Sequence, residues 1–270
     1  MNELLFDNDF SRIDILIKTI YRDEYLYKTI DAIRCNMSAA RMVIMDDGIN
    51  INLKSLLYAD LRREGHSVHQ MEFDSGFGAK SNAAIQFYER DYVLIASDDF
   101  DFSSPVTCES IRRMVLVLDH DSSVGIVSGR VNDYPYEFNL HIDGTVCREI
   151  AIDYSNPLTV ENINYHRCEL TANYSMIRRE LLACNKLHWW DDIKIGGGEH
   201  SAFFILAKKL GINVAYVEGV SIKEQCYFVG CQHEDYPGLR GRAQRDGRLA
   251  NLREGITHYY LCGSYSPEVC

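Results

Sequence analysis

Residues 13–96 repeat one pattern, in which a short β-favouring segment is followed by a longer segment with helical character. The β-favouring segments are IDILIKT, RMVIMDD, SVHQMEF and YVLIASDD, and between them lie EYLYKTIDAIRC, LKSLLYADLRREG and AKSNAAIQFYER. Strands that alternate with helices form parallel sheets, because each helix returns the chain across the sheet to start the next strand in the same direction. The pattern therefore predicts an α/β fold with a mostly parallel, doubly wound sheet and helices on both of its faces.

The pattern changes after Pro105, where strands and helices no longer alternate strictly. CESIRRMVLVLDH predicts an amphipathic helix and VGIVSGR a strand, and a mixed region at 131–170 follows. Within that region, Asp143-Gly144 predicts the turn of a β-hairpin. ELTANYSMI predicts a further strand, RRELLACN a short helix, and EHSAFFILAKKLG a helix that ends at Gly211. The second half is therefore predicted to be a subdomain built onto the first sheet.

The fourth β-favouring segment ends in a cluster of acidic residues, Asp98, Asp99 and Asp101. In open α/β sheets, ligands bind outside the carboxyl ends of the strands, and a divalent cation offsets the repulsion between carboxylates placed there. The cluster therefore indicates a site for a metal ion and a diphosphate. Asp and Ser also favour turns and helix N-caps, so a capping turn before the next helix is the alternative.

The acidic composition limits the partners of the chain. Its 270 residues carry a formal net charge of −11, and a hydrophobic content of 46% is that of a globular protein with a sizeable core. Nucleic-acid binding needs a clustered basic surface, so this charge argues against a nucleic-acid partner. The nine cysteines contain no C-x-x-C pair, which argues against a disulfide framework and a thiolate zinc site. We expect reduced thiols in a cytosolic protein.

Two terminal features bear on localisation. The first residues, MNELLFDNDFSRID, lack the basic and apolar regions of a signal peptide, and no apolar run approaches the length of a membrane span, so we expect a soluble protein that is not exported. The segment at 238–270 is locally basic and contains Arg240, Arg242, Arg245, Arg248 and Arg253. The favoured interpretation is a solvated terminal helix, because runs of charge usually face water, and arginines that close over a diphosphate or touch an anionic membrane are the functional alternative.

The order of these features resembles the nucleotide-sugar glycosyltransferases of the GT-A fold. The features are strands alternating with helices, an Asp pair after the fourth strand, and a Trp-rich loop, LHWWDDIKIGGG, before a helix that starts at Glu199. The likeness covers roughly residues 12–235 and is greatest to family 2 and to the β-1,4-N-acetylgalactosaminyltransferase group that makes gangliosides. It implies inverting transfer from a UDP-sugar to a hydroxyl of a glycan or glycolipid, with Mn²⁺ or Mg²⁺ as cofactor.

The resemblance also implies a domain organisation. The glycosyltransferase domain spans 1–237, with a nucleotide-sugar-binding half at 12–102 and an acceptor and catalytic half at 103–237. A basic extension follows at 238–270. Acceptor selectivity is expected in the region 131–170, and the protein is expected to act in the cytoplasm, at or near the membrane, in the assembly of a surface polysaccharide.

In such enzymes the loops after the first three strands contact the donor nucleotide. Thr19 and Arg22 are placed like the family's residues beside uracil and phosphate, and Arg22 facing solvent is the alternative. An acidic residue after the second strand contacts the base or ribose, which makes Asp46 or Asp47 the candidate and a simple Asp-Gly turn the alternative. After the Gly-rich turn SGFG, Lys80 would face the donor.

The same Gly-rich turn brings a second donor candidate, Asn82. Small residues permit close approach of the backbone, and the N–H groups at a helix start favour phosphate oxygens. The alternative is that Gly76 and Gly78 serve only to form the turn.

The metal ligands follow from the D-x-D type motif of the family. The sequence SDDFDF departs from the ganglioside-enzyme pattern DDDF, because Ser97 stands where that pattern has its first Asp. In this alignment Asp98 contacts the ribose or uridine and Asp99 the metal, and Asp101 offers a second register. A His beyond the acceptor helix often completes the metal shell. His233 is the candidate for it, and His200 and His166 are competitors.

The catalytic base implied by the resemblance is Glu199, which follows three glycines at a helix start. A helix N-terminus keeps a carboxylate ionised, as a base requires, although an acid that only complements the helix dipole is the alternative. Asp191 is the second candidate for the base. The predicted acceptor contacts are Trp189, Trp190, Asp192 and His200, and we expect only one of the two consecutive Trp rings to face the acceptor.

Three other functions fit parts of this pattern. A sugar-phosphate nucleotidyltransferase also uses an α/β sheet and acidic metal ligands, but it normally carries a Gly-rich signature after the first strand, where this chain has KTIYRDE. A non-catalytic module that binds nucleotide-sugars or glycans would retain the aspartates without turnover. An α/β structural protein with Asp-rich turns would bind no nucleoside diphosphate.

Overall fold

The first half of the protein is a parallel α/β unit, as predicted. The structure, a computed structural model, describes residues 10–49, 51–183, 186–194, 199–225, 242–262 and 268–269. Four parallel strands lie side by side in the order β3-β2-β1-β4: β1 (Ile13–Thr19), β2 (Arg41–Asp46), β3 (Ser67–Gln70) and β4 (Tyr92–Ser97). They are connected through α1 (Asp23–Asn36), α2 (Ser55–Arg63) and α3 (Phe77–Ala84).

Both faces of this sheet are covered, which explains why its central strand β1 is buried along its whole length. All seven residues of β1 are buried. Ile15 and Ile17 belong to one hydrophobic cluster, together with Leu26 of α1, whereas Leu16 belongs to a second cluster with Ala84 of α3. Side chains alternate across a strand, so two helical layers bury both faces.

The second half continues the same sheet with mixed strand directions. Its strands are β5 (Val124–Val131), β8 (Leu158–Val160), β9 (Ile163–Cys168), β10 (Ser175–Arg178) and β11 (Asn213–Ile222). Strand β10 lies antiparallel between β4 and β5, β11 runs parallel to β5, and β9 and β8 complete the nine-stranded sheet. The helices of this half are α4 (Pro105–His120), α5 (Arg179–Ala183) and α6 (Glu199–Lys209). The α/β class is confirmed, and the parallel directions hold for the first half of the sheet.

A smaller sheet joins the mixed region to the C-terminal segment. Strands β6 (Phe138–Asp143) and β7 (Val146–Ala151) form the predicted hairpin, with Gly144 at φ 57° in its turn. Strand β12 (His258–Tyr260) pairs parallel with β7 and antiparallel with β13 (Glu268–Val269). Helix α7 (Ala243–Arg253) packs against α6. The described residues of the C-terminal segment therefore pack into the main body of the protein.

Helix α3 ends earlier than the sequence predicted, at Ala84, and a 3-10 turn (Ile85–Phe87) follows it. The carboxylate of Asp14 accepts hydrogen bonds from the backbone N–H groups of Glu89 and Arg90, at 2.6 and 2.9 Å. These bonds fix the chain in an extended conformation before β4, so the helix cannot continue. None of the helices in the described ranges combines the length and the hydropathy of a membrane span.

Candidate functional site

The predicted donor-binding residues lie at one edge of the sheet. Thr19 at the end of β1 is in register with Asp46 at the end of β2, and Lys18 is in register with Ser97 at the end of β4. Parallel strands present their carboxyl ends at the same edge, which is where open α/β sheets bind ligands. The structure thus brings together three segments that are far apart in the sequence.

Two buried carboxylates and one arginine form the centre of this edge. The side chains of Asp98 and Asp99 are 1% and 5% exposed, and the guanidinium of Arg22 contacts both of them. One oxygen of each carboxylate, Asp98 Oδ2 and Asp99 Oδ1, is buried without a hydrogen-bond partner among the described residues. Burial raises the pKa of Asp98, Arg22 lowers it, and the neighbouring charge of Asp99 raises it.

This pair fits a divalent metal ion. Mn²⁺ and Mg²⁺ prefer oxygen ligands, and a buried carboxylate oxygen without a partner is costly unless a cation or a hydrogen bond satisfies it. Across the described ranges no group of three or more His, Cys, Asp or Glu side chains could hold a metal. His233 lies outside the described residues.

The other metal candidates have protein partners in the structure. Asp101 Oδ1 accepts hydrogen bonds from the backbone N–H and the hydroxyl of Ser103, at 2.8 and 2.5 Å. Asp101 therefore forms a turn just before α4, and the helix itself is capped by Ser104, whose hydroxyl accepts the N–H of Val106 at 3.2 Å. His166 is buried on β9, and its Nε2 lies 2.6 Å from Glu218 Oε1.

Asp46 stabilises the loop after β2. Its Oδ2 accepts a hydrogen bond from the hydroxyl of Tyr58 at 2.6 Å and lies 2.7 Å from Lys54 Nζ, and its Oδ1 accepts the N–H of Gly48 at 2.8 Å. A Cβ on Gly48 would lie 2.0 Å from the carbonyl oxygen of Ile20, so the loops after β1 and β2 touch at this glycine. Both oxygens of Asp46 are therefore engaged within the protein.

Asp47 and Lys80 connect three loops of the donor edge. Lys80 Nζ donates to Asp47 Oδ1 at 2.6 Å and to the carbonyl of Thr19 at 3.1 Å. Asp47 Oδ2 accepts the N–H of Gly76 at 3.0 Å. These contacts place the ammonium group of Lys80 at the end of β1, where the resemblance implied a cation near the donor.

The Gly-rich turn contacts a protein loop. The N–H groups of Phe77 and Gly78 donate to the carbonyls of Lys194 and Ile193 at 3.0 and 3.1 Å. A Cβ on Gly78 would lie 1.8 Å from the carbonyl oxygen of Trp190, so glycine is required for this approach. The two helix-start N–H groups that were expected to favour phosphate are bonded to the Trp-rich loop.

Asn82 holds the same loop through three hydrogen bonds. Its Nδ2 donates to the carbonyl of Trp189 and to Asp191 Oδ1, both at 2.6 Å, and its Oδ1 accepts the N–H of Trp189 at 2.9 Å. The indole of Trp189 is 4% exposed and stacks on Phe203 with the ring centroids 4.4 Å apart. In this structure Asn82 and Asp191 bind each other, and Trp189 is part of the core.

Helix α7 holds the Trp-rich loop from the opposite side. Trp190 Nε1 donates to Glu254 Oε1 at 3.1 Å, and the N–H of Lys194 donates to Asp246 Oδ2 at 3.1 Å. Asp192 forms an ion pair with Arg253 at 2.7 Å. Trp190 is half-buried and is the more exposed of the two Trp residues.

Three arginines of the basic segment pair with acids of the protein. Arg242 makes two bonds of 2.8 Å to Asp74, Arg253 pairs with Asp192, and Arg245 lies 3.1 Å from Asp246. The first two pairs join α7 to the loops around the site, so the basic segment contributes to the position of those loops.

A pocket opens beside the start of α6. We call it the His200 pocket, and its lining includes Asn132, Tyr134, Tyr136, Asn173, His200 and Glu224. A second, more enclosed cavity shares Asn173 and His200 and extends to Trp189 and Phe203. Glu199 is the first residue of α6, and its side chain lies outside the described part of the structure. Of the predicted acceptor residues, His200 lines both cavities.

Solved structures match this fold, whereas no protein-family model and no curated protein sequence matches the chain. Residues 1–349 of S. aureus TarS align with a TM-score of 0.55 at 12% identity, over 91% of this chain and 71% of that one. The mannosyltransferase PcManGT from Pyrobaculum calidifontis aligns with a TM-score of 0.57 at 13% identity, over 90% and 64% of the two chains. GalNAc-T7 aligns with a TM-score of 0.56 at 13% identity, over 78% and 43%. The chain has the GT-A fold.

The GT-A fold accounts for the element order that the sequence indicated, and the closer likeness to the ganglioside-type group stays a prediction. The sequence analysis did not predict several residues around the candidate site. No local sequence pattern marks Asp74, Asp246 and Glu254, because their partners lie more than fifty positions away in the sequence. Glu224 had a usable signal, because it closely follows a buried strand, as Asp98 does.

Proposed function

We propose that this protein is a metal-dependent glycosyltransferase that moves a sugar from a UDP-sugar to a hydroxyl of a glycan or glycolipid. One observation carries the proposal. Asp98 and Asp99 are buried at the carboxyl edge of a GT-A sheet, and each has an oxygen without a protein partner. A stable fold rarely leaves two such oxygens unsatisfied unless a ligand completes them.

The solved relatives support the donor and the metal. PcManGT is in complex with GDP-Man and Mn²⁺, and GalNAc-T7 with UDP, GalNAc and Mn²⁺. A further structure of TarS 1–349 is in complex with UDP-GlcNAc and aligns with a TM-score of 0.56 at 13% identity, over 66% of that chain. These three proteins of similar fold are thus found with a nucleotide or nucleotide-sugar, and two of them also with Mn²⁺.

Asp99 would hold Mn²⁺ or Mg²⁺, and the cation would stabilise negative charge on the departing nucleoside diphosphate. The resemblance placed Asp98 at the ribose or uridine, but its Oδ2 is also without a protein partner, so we propose it as a second metal ligand. Arg22 lies against both carboxylates, and Lys80, which is buried against Asp47 at the end of β1, adds a second positive charge near Asp98. These groups are held before the substrate arrives, which lowers the cost of reorganising them during the reaction.

Glu199 is the proposed base, because it begins α6 beside the His200 pocket. The dipole of the helix keeps a carboxylate there ionised. It would take the proton of the acceptor hydroxyl, whose oxygen attacks the anomeric carbon from the face opposite the diphosphate and so inverts that centre. Asp191 is the alternative base, and its Oδ1 is engaged by Asn82.

A binding and transfer experiment tests this function. UDP with Mn²⁺ is expected to raise the melting temperature, because a ligand that binds only the folded state stabilises it. Glu199→Gln is expected to keep this rise but to transfer sugar about a hundredfold more slowly, since a general base typically contributes that much. Asp191→Asn is the matched control and is expected to transfer at nearly the wild-type rate.

The other outcomes identify the alternatives. Binding of UDP without transfer or donor hydrolysis would favour a non-catalytic module. Formation of a nucleotide-sugar from a nucleoside triphosphate and a sugar phosphate would favour a nucleotidyltransferase. If no nucleoside diphosphate changes the melting temperature with or without Mn²⁺, the proposal is wrong.

Peripheral contact with an anionic membrane is proposed for the outer face of α7. Arg245, Arg248, Leu249 and Leu252 are exposed on this helix at a spacing that places them on one face. Arginines beside exposed leucines suit the interface of an anionic bilayer. An Arg245→Glu/Arg248→Glu variant is expected to bind phosphatidylglycerol vesicles about thirtyfold more weakly in co-sedimentation.

The control for this contact reverses two exposed arginines elsewhere, in an Arg63→Glu/Arg179→Glu variant. It makes the same change in net charge and is expected to keep vesicle binding. Equal losses in both double variants would show that net charge alone attracts the membrane, and would exclude a specific role for α7.

A further inference from the structure

Two exposed tyrosines line the His200 pocket. Tyr134 and Tyr136 lie between β5 and β6, and they are 55% and 36% exposed. Each offers a flat apolar face with a polar tip, which suits contact with the C–H surface of a sugar ring. Asn173 and His200, which also line the pocket, add groups that form hydrogen bonds with hydroxyls.

The turn that carries these tyrosines is held in an unusual conformation. Asn132 and Asp133 both have positive φ, at 54° and 61°. Such angles are uncommon for residues other than glycine and persist where surrounding contacts enforce them. Asn132 Nδ2 donates to Glu224 Oε2 at 2.9 Å, its Oδ1 accepts the N–H of Glu224 at 2.9 Å, and its own N–H donates to the carbonyl of Ile222 at 2.8 Å. The pocket wall is therefore fixed to the end of β11.

The same segment is attached to the carboxylate pair of the donor edge. The N–H of Gln225 donates to the carbonyl of Asp99 at 2.7 Å, and Glu224 forms a β-bridge with Phe100. On the opposite side, His200 follows the proposed base Glu199 directly. A molecule in the His200 pocket therefore lies between the segment that carries Asp99 and the start of α6.

We propose that the His200 pocket binds a neutral sugar ring of the acceptor, with Tyr134 and Tyr136 packing on the ring and Glu224 accepting hydrogen bonds from its hydroxyl groups. This inference rests on the proposed function and assigns the acceptor class to the same site. Glu224 lines the pocket, and a carboxylate on the acceptor would lie close to it. We therefore expect the pocket to favour an uncharged sugar over one that carries a carboxylate.

Saturation-transfer NMR with methyl glycosides tests the pocket. The probes are the methyl glycosides of glucose, galactose, N-acetylglucosamine, N-acetylgalactosamine and glucuronic acid, each with the protein, UDP and Mn²⁺. At least one neutral glycoside is expected to receive saturation from the protein and so to bind, whereas the methyl glycoside of glucuronic acid is not. Tyr136→Ala and Glu224→Gln are each expected to weaken the binding of that glycoside about tenfold, while the melting shift caused by UDP and Mn²⁺ is unchanged.

Tyr27→Ala is the matched control, since Tyr27 on α1 is as exposed as Tyr136 and does not line the pocket. It is expected to bind the glycoside as the wild type does. If no neutral glycoside binds, or if Tyr136→Ala and Glu224→Gln bind it normally, the pocket assignment is wrong. A normal melting shift with UDP in those same samples would leave the proposed function standing, which separates the two failures.

Discussion

Asp99→Asn is expected to lower sugar transfer by about a thousandfold or more, because charge stabilisation by a metal ion is typically worth several kcal/mol of the activation barrier. The substitution keeps the shape of the side chain but removes one of the two buried negative charges. The oxygen that has no protein partner, Asp99 Oδ1, then belongs to a neutral amide, which is a poor ligand for Mn²⁺. The rate of transfer at saturating Mn²⁺ and the affinity for Mn²⁺ are the two measurements.

Asp101→Asn is the matched control for this prediction and distinguishes the two registers of the acidic motif. Asp101 Oδ1 is occupied by the backbone and hydroxyl of Ser103, and an Asn side chain preserves an acceptor there. We expect transfer within a few-fold of wild type. If Asp101→Asn loses transfer while Asp99→Asn retains it, Asp101 is the metal ligand and the assignment of Asp99 is wrong.

The parts of the fold that the sequence predicted are those with a local signal. Strand β1 has the apolar run Ile15–Ile17 because both of its faces are buried, and α1 starts four positions after its last residue. A strand is followed by a helix in each βα unit of the first half, so the order of elements and the edge that collects Asp46 and Asp98 could be predicted. The hairpin turn at Gly144 had an equally local signal.

The antiparallel entry of β10 between β4 and β5 had no such signal. Its four residues pair with two strands that lie tens of positions earlier in the chain. A short apolar segment is compatible with either direction, and the direction is set by the position that β10 occupies between β4 and β5. The direction is therefore a property of the assembled sheet and is absent from the segment itself.

The surroundings of the predicted site residues depend on long-range contacts in the same way. Asn82 follows a Gly-rich turn, as a donor-binding residue would, but its partners Trp189 and Asp191 lie more than a hundred positions away. From the sequence alone, Trp189 could either stack on a sugar or belong to the core. Its stacking on Phe203 in the structure identifies it as a core residue. Local sequence identified the segments of the site, and tertiary contacts decided which side chains face each other.

Arg22→Met is expected to destabilise the protein by about 3–5 kcal/mol in the absence of metal, because it leaves two buried carboxylates without their cation. Methionine retains much of the volume and length of the arginine stem, so the loss is mainly that of the charge. Burial already raises the pKa of Asp98 above its ordinary value, and removal of Arg22 is expected to raise it further. Urea unfolding in the presence of EDTA measures the difference between variant and wild type.

The pH dependence of this difference has a definite sign. A carboxyl whose pKa is higher in the folded state destabilises the fold once the unfolded chain can ionise, so the cost is absent below about pH 4 and grows as the pH rises. Arg34→Met is the control, since Arg34 pairs with the exposed Glu64 and such surface pairs are worth about 1 kcal/mol or less. A loss for Arg22→Met that is no larger than that for Arg34→Met, or that is constant with pH, would contradict the prediction.

Mn²⁺ gives the decisive comparison, because Arg22 and a metal ion would satisfy the same two carboxylates. In the wild type Arg22 already offsets the charge of Asp98 and Asp99, and a metal ion would bind their remaining oxygens, Asp98 Oδ2 and Asp99 Oδ1, whereas in Arg22→Met the carboxylates lose that compensation. Mn²⁺ is therefore expected to raise the melting temperature of the variant more than that of the wild type. Equal shifts would place the metal elsewhere and would remove the main support for the glycosyltransferase assignment.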